Sequence, residues 1–130
     1  MRLTEEAFNI IKENTEYYEF PYTTGGFRPT FLIGYSHKTK ECPLGLQMSK
    51  EVASLQLRSD LSDVEYFLKS ANITSQSRYD AMVSLGFRLE RQQFINVISV
   101  MHNSGRESLR EYVESLGGKQ ELLEWEISQL

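Results

Sequence analysis

Three glutamates stand three residues apart at Glu13, Glu16 and Glu19, and after them no acidic residue occurs until Glu41. Carboxylates at such positions could act as general acids or bases; on a polar stretch they could equally be solvated surface charges. The two histidines, His37 and His102, have no clustered carboxylates beside them, which argues against a catalytic metal site, and no cofactor is expected. His102, near a helix end, reads as an exposed or satisfied residue. Cys42 is the single cysteine, so it forms no internal disulfide and has no metal-ligand partner at useful spacing.

The bulk numbers narrow the function further. At 130 residues the chain reads as one domain with a sizeable core, and 40% hydrophobic with 25% charged residues is an ordinary globular balance. A net charge of −4 and a pI near 5.2 argue against a polyanionic partner. The basic residues Lys38, Lys40, Arg88, Arg91, Arg106 and Arg110 are scattered and form no basic–aromatic stripe, so no nucleic-acid partner is expected. The N-terminal Met1-Arg2-Leu3-Thr4-Glu5-Glu6 has no signal-like apolar run, and no stretch reaches transmembrane length. The chain as written is expected to be cytoplasmic and to have no membrane partner.

The elements that must position these residues follow from periodicity. Thr4 is an N-cap with Glu5 and Glu6 in the first turn, and Leu3, Ala7, Phe8 and Ile11 make one apolar helical face that stops near Asn14-Thr15. The aromatic stretch Tyr17–Tyr22 crosses Pro21 and reads as a loop or the start of a strand. Thr23-Thr24-Gly25-Gly26 followed by the apolar run Phe31-Leu32-Ile33-Gly34-Tyr35 predicts a β-hairpin, and residues 36–47 read as a connecting loop. From Ser49 to about Ser70, Leu57, Leu61, Val64 and Leu68 mark a long helix. Thr74 or Ser75 caps a further helix carrying Tyr79, Met82, Val83 and Phe87, apolar on more than one side and therefore central. Phe94, Val97, Ile98 and Met101 mark the next, ending at Asn103-Ser104-Gly105; Leu109, Tyr112, Val113 and Leu116 another, stopped by Gly117-Gly118; and Gln120 to Leu130 the last.

Several short stretches, in order along the chain, resemble one family. Ile10-Ile11-Lys12-Glu13 with a tyrosine some ten residues on is similar to the "IKEFEG…Y" opening of the phage-type lysozymes, glycoside hydrolase family 24. Ile33-Gly34-Tyr35-Ser36-His37 resembles their "TIGYGH". Met48-Ser49-Lys50-Glu51 and Leu57-Arg58-Ser59-Asp60-Leu61 resemble "LT-x-x-E" and "L-x-x-DL". Residues 72–87 resemble "LTQNQFDALVSFAFN", and Gly117-Gly118-Lys119 resembles "AGGK". The resemblance implies an α+β, mostly α, lysozyme-like single domain over 1–130. It would comprise a small hairpin lobe (about 15–48), a long connecting helix (49–70) and a helical lobe (71–130). It also implies a bacterial or phage source, and an ion pair between His37 and Asp60 that ties the hairpin to the long helix.

The family's muramidase chemistry needs a general acid at the end of the first helix, and an aspartate and a threonine from the hairpin. Most glycoside hydrolases share the underlying requirement: one carboxylic acid protonates the leaving oxygen, and one carboxylate stabilises the cation or activates water. Carried over position by position, these roles fall on Thr15, Thr24 and Leu32, so all three groups are replaced. Threonine is not ionised at neutral pH and does not neutralise an oxocarbenium ion. Glu16 and Glu19 are the fallback acids; Glu16, one position along a helix, would be rotated by about 100°. The family's arginine-rich "GL-x-x-RR" end is replaced by Leu122-Leu123-Glu124-Trp125-Glu126-Ile127.

Tyr17, Tyr18, Phe20, Tyr22, Phe27, Phe31 and Tyr35 crowd one short stretch. They read first as the core of the small lobe, and second as a sugar- or partner-binding lining to which Tyr22, Phe31 and Tyr35 would contribute. Three readings follow. The first is a non-catalytic binding or protein-interaction module of phage or prophage type, whose partner is an unknown protein or a peptidoglycan-like glycan. The second is an active peptidoglycan muramidase with a relocated acid, and the third a structural or immunity-type phage component.

Overall fold

The computed structural model describes residues 1–27, 29–40 and 45–130, so Cys42 and Glu41 lie outside the described residues. The chain divides into two compact units, Thr15–Ser62 on the one hand and Met1–Asn14 with Asp63–Leu130 on the other.

The first unit holds a three-stranded antiparallel sheet in the order β1 (Tyr17–Thr23), β2 (Phe31–Tyr35), β3 (His37–Thr39). Tyr17 pairs with Tyr35 and Thr23 with Phe31, with an irregular register between Tyr18 and Tyr22. Pro21 lies in that irregular stretch of an edge strand, where its missing N–H disturbs the ladder least. The third strand corrects the sequence expectation of a loop from residue 36. Gly34 (φ +61°) and Ser36 (φ +55°) reverse the chain, with the Ser36 N–H donating to the Gly34 carbonyl at 2.9 Å. That reversal lays the polar His37-Lys38-Thr39 against β2. Backbone pairing with β2 builds this strand, and hydropathy patterning does not register it.

The long helix α2 (Lys50–Phe67) buries Ala53, Leu57 and Leu61 along one stripe and runs on into a 3-10 turn at Leu68–Ser70. Among the described residues of the hairpin unit, these three and Ile33 are the buried apolar side chains. None of the seven crowded aromatics is among them: Phe20 and Tyr22 are exposed, and Phe27 is 97% exposed. The core reading of that stretch is therefore corrected. A three-stranded sheet has too little inward face for seven rings, and Ile33 with the α2 residues Ala53, Leu57 and Leu61 fills the buried space instead.

The second unit is helical. α1 (Glu5–Glu13) is capped by Thr4, whose hydroxyl accepts from the Ala7 N–H at 3.2 Å, and Ala7, Phe8 and Ile11 are buried. α3 (Gln76–Arg88) is capped by Ser75 and has an unbroken buried run from Tyr79 to Leu85, as expected of a helix surrounded by others. α4 (Arg91–Asn103), α5 (Arg106–Leu116) and α6 (Gln120–Gln129) complete the unit. Among the described residues, no helix is long and apolar enough to cross a membrane.

Three acidic side chains that no periodicity singles out are built into this unit. Asp80 accepts from the Thr4 N–H at 3.2 Å, the Thr4 hydroxyl at 2.7 Å and Gln76 at 2.9 Å, which fastens the start of α1 to α3. Glu65 Oε1 accepts from the Leu3 N–H at 2.6 Å and from the Tyr79 hydroxyl at 2.9 Å. Burial first, and then that carboxylate, push the Tyr79 hydroxyl above its ordinary range, so it remains a donor. Glu126 is wholly buried and is held by Ser84 and Arg88.

Candidate functional site

Apart from Glu13 and His102, the described positions singled out for chemistry fall in the hairpin unit. α1 closes at Glu13 with Asn14 as its C-cap, the Asn14 N–H donating to Ile10 and Ile11 carbonyls. Thr15 and Glu16 thus lie beyond the helix, and the helical rotation expected to turn Glu16 aside does not apply to it. Glu16 is exposed, and its carbonyl accepts from the Ser36 hydroxyl at 3.0 Å.

Thr24 is spent on the loop itself. Its N–H and hydroxyl both donate to the Thr30 carbonyl, at 3.0 and 3.1 Å, and its oxygen accepts from the Thr30 N–H at 3.2 Å. This clamp closes the connection between β1 and β2 one pair beyond Thr23 and Phe31, with Gly25 and Gly26 supplying positive φ. Leu32 sits on the central strand between Tyr22 and Lys38. Thr15, Thr24 and Leu32 bring no ionisable group to the unit.

Glu19 carries an exposed carboxylate that accepts from Gln47 Nε2 at 2.7 Å, while its carbonyl accepts from the Met48 N–H at 2.9 Å. It is thereby tied to the segment leading into α2. Tyr17, beside it, donates its hydroxyl to the Met48 carbonyl. Desolvation, then the Glu19, Tyr35 and Glu51 charges, raise the Tyr17 hydroxyl above its ordinary value, so it too stays a donor. Of the proposed lining residues, Tyr22 is exposed and stacks on Tyr18 at 4.9 Å, and Tyr35 lies against Tyr17 at 5.3 Å; Phe31 is half-buried.

His37 and Asp60 meet. His37 Nδ1 lies 2.9 and 3.0 Å from the two Asp60 oxygens, and Gln56, one turn earlier on α2, donates to Oδ1 at 3.0 Å. The contact fastens β3 to α2 within the unit, and both side chains are partly open to solvent. Asp60→Ala leaves the His37 and Gln56 donors without that acceptor but within reach of water. It should therefore cost about 1–2 kcal/mol in urea denaturation, and Asp60→Asn should recover part of the loss. A loss below a few tenths would mean that solvent already satisfies the pair.

Gly34, the penultimate residue of β2, brings its backbone against α2: an added Cβ would stand 3.1 Å from the Ala53 Cβ. Among the described residues, no three His, Cys, Asp or Glu side chains group as a metal site. His102 is exposed on the helical unit. Sequence reasoning did not mark a trough between the end of α2 and α4, lined by Tyr66, Phe67, Ile95 and Ile98. The signal was available in Tyr66-Phe67, apolar residues off the buried stripe of α2.

No protein-family model matches the chain, and no curated protein sequence matches it either. Solved structures do. The endolysin from Escherichia coli O157:H7 phage FAHEc1 superposes with a TM-score of 0.75 at 16% identity, over 99% of this chain and 90% of that one. The muramidase domain of SpmX from Asticcacaulis excentricus gives 0.76 at 16% identity, over 98% and 94%. A mutant P22 lysozyme gives 0.69 at 22% identity, over 99% and 95%. With six α-helices and a small three-stranded sheet among its described residues, and these superpositions along almost its whole length, the chain has the fold of the phage-type lysozymes.

Proposed function

We propose that this chain is a single lysozyme-like domain used as a binding scaffold, without the glycan-cleaving chemistry that the fold serves elsewhere. One observation carries the reading: the sheet has no carboxylate to offer between Glu19 and Glu41, and Thr24 is engaged in closing its own loop. Without a carboxylate facing the sugar ring, an oxocarbenium-like transition state is not stabilised. Fold alone does not fix function, and a scaffold that keeps its packing can change its ligand. The net charge of −4 favours a protein partner over an anionic cell-wall polymer, which like charge would repel. Phage or prophage origin is part of the same proposal and rests on the resemblance of the scaffold.

The competing reading is a muramidase with a relocated acid. It is favoured by the end of α1 at Glu13, which frees Glu16 from the helical lattice, and by the exposed carboxylate of Glu19. Turbidity clearing of purified peptidoglycan at high protein concentration separates the two, with Glu16→Gln and Glu19→Gln run alongside. We expect no clearing above buffer from the folded protein and no difference among the three forms. Clearing that either substitution abolishes would overturn the binding reading and give the general acid to that residue.

A further inference from the structure

A trough of about 530 Å3 opens on the helical unit, lined in part by Tyr66, Phe67, Ala71, Ile95, Ile98 and His102. Tyr66 is 73% exposed, Phe67 41% and Ile95 39%, so three large apolar side chains stand open in one concave patch. Apolar residues gathered this way, unlike singly scattered ones, mark interaction sites. The floor is fixed. Phe67 packs on the buried Phe94 ring at 5.8 Å, and an added Cβ on Gly86 would come within 2.7 Å of that ring.

The charges around the trough run against the charge of the chain, which has 18 acidic and 14 basic residues. Lys69 Nζ lies over the Tyr66 ring at 5.1 Å, and the Arg91 guanidinium over the Phe67 ring at 5.8 Å. A second cavity of about 110 Å3 shares Ala71 and His102 with the first and adds Arg78, whose Nη2 donates to the Leu130 carbonyl at 3.2 Å. No described lining residue of either cavity is acidic. Of the acids nearest in sequence, Glu65 is occupied by Leu3 and Tyr79, Glu90 precedes α4, and Asp63 lies one turn before Tyr66.

From this juxtaposition of an open apolar trough with cations seated on its aromatic walls, we propose that the trough docks an acidic amphipathic helix of a partner protein. The helix would place apolar side chains at i, i+3, i+4 and i+7 in the trough and its flanking carboxylates beside Lys69 and Arg91. The open walls favour a ridge of side chains over a small molecule, which an enclosed pocket would surround on most sides. The inference concerns the helical unit alone and stands whether the hairpin unit binds or cleaves.

The test is a displayed library of amphipathic helices of about four turns, with leucine on one face and glutamate or lysine randomised on the flanks. It is panned on the native protein and on the Lys69→Glu/Arg91→Glu double variant, whose changes are both at exposed positions. The native protein should enrich glutamate-rich helices and the double variant lysine-rich ones. The best glutamate-rich peptide should bind the native form about ten-fold tighter in fluorescence anisotropy, and Tyr66→Ser should remove its binding. Selection without charge bias, or with the same bias on both proteins, overturns the proposal. So does a concentration-dependent dimer lost in Tyr66→Ser, which would give the trough to a second copy, or binding of phosphatidylglycerol vesicles lost in the same variant, which would give it to lipid.

Discussion

Replacing Arg88 with alanine should destabilise the protein by about 3–5 kcal/mol, because it strands a buried carboxylate. The Glu126 side chain is 0% exposed, against 17% for Arg88. Arg88 grips it through Nε, at 3.1 and 2.9 Å from the two oxygens, and through Nη2 at 2.7 Å, while Nη1 donates to the Gly117 carbonyl at 2.8 Å. Ser84 adds a hydroxyl at 2.7 Å. Desolvating two charges is expensive, and only this density of hydrogen bonds offsets it; removing the cation leaves the expense without the return. Urea denaturation measures the effect. Removing both charges with Arg88→Met and Glu126→Leu should cost far less than Arg88→Ala, since a hydrophobic pair of similar volume needs no partner. Ser84→Ala should fall near 1 kcal/mol, the ordinary worth of one hydrogen bond, or about twice that because the acceptor is charged. An Arg88→Ala loss within about 1 kcal/mol would mean that water reaches Glu126 and the pair is not desolvated.

The Gly34→Ala variant should lose roughly 2–5 kcal/mol, and for two separable reasons. Gly34 has φ +61°, a left-handed conformation that costs an L-residue about 1–2 kcal/mol. The new methyl group would also stand 2.6 Å from Met48 Sδ and 3.1 Å from the Ala53 Cβ, and overpacking of this kind costs about 1–3 kcal/mol. Methionine is flexible and can swing away, whereas Ala53 is fixed in α2. The Gly34→Ala/Met48→Ala double variant should therefore recover part of the steric loss and none of the conformational one. Hydrogen exchange at the β2 and β3 amides reads the damage locally, because Gly34 and Ser36 make the reversal between those strands. Unchanged exchange in Gly34→Ala would rule out a close approach of β2 to α2.

The trough and the buried charges were the least legible parts of the sequence. Glu126 sits in the run Leu122-Leu123-Glu124-Trp125-Glu126-Ile127, where two glutamates look alike. Only the packing of α6 against α3 turns one of them inward onto Arg88 and leaves Glu124 exposed. Tyr66 and Phe67 read as the end of an apolar pattern, yet the buried stripe of α2 is Ala53, Leu57 and Leu61, and these two rings fall off it. The third strand was hidden for a related reason: backbone hydrogen bonds hold His37-Lys38-Thr39, and side-chain hydropathy carries no trace of them.

By itself, the sequence determined the helical framework, the cap at Thr4, a cap at Thr74 or Ser75, the turn at Gly25-Gly26 and the absence of any acid between Glu19 and Glu41. Each of these is local, set by residue type and spacing within a few turns of chain. Tertiary structure decided what locality does not reach: that the aromatics beside the hairpin stay outside its core, that Asp80, Glu65 and Glu126 find partners far along the chain, and that an apolar trough with cations on its walls lies open. Burial and pairing depend on which faces meet. Residues 42 and 76 positions apart, such as Ser84 with Glu126 and Thr4 with Asp80, become neighbours only when the helices pack.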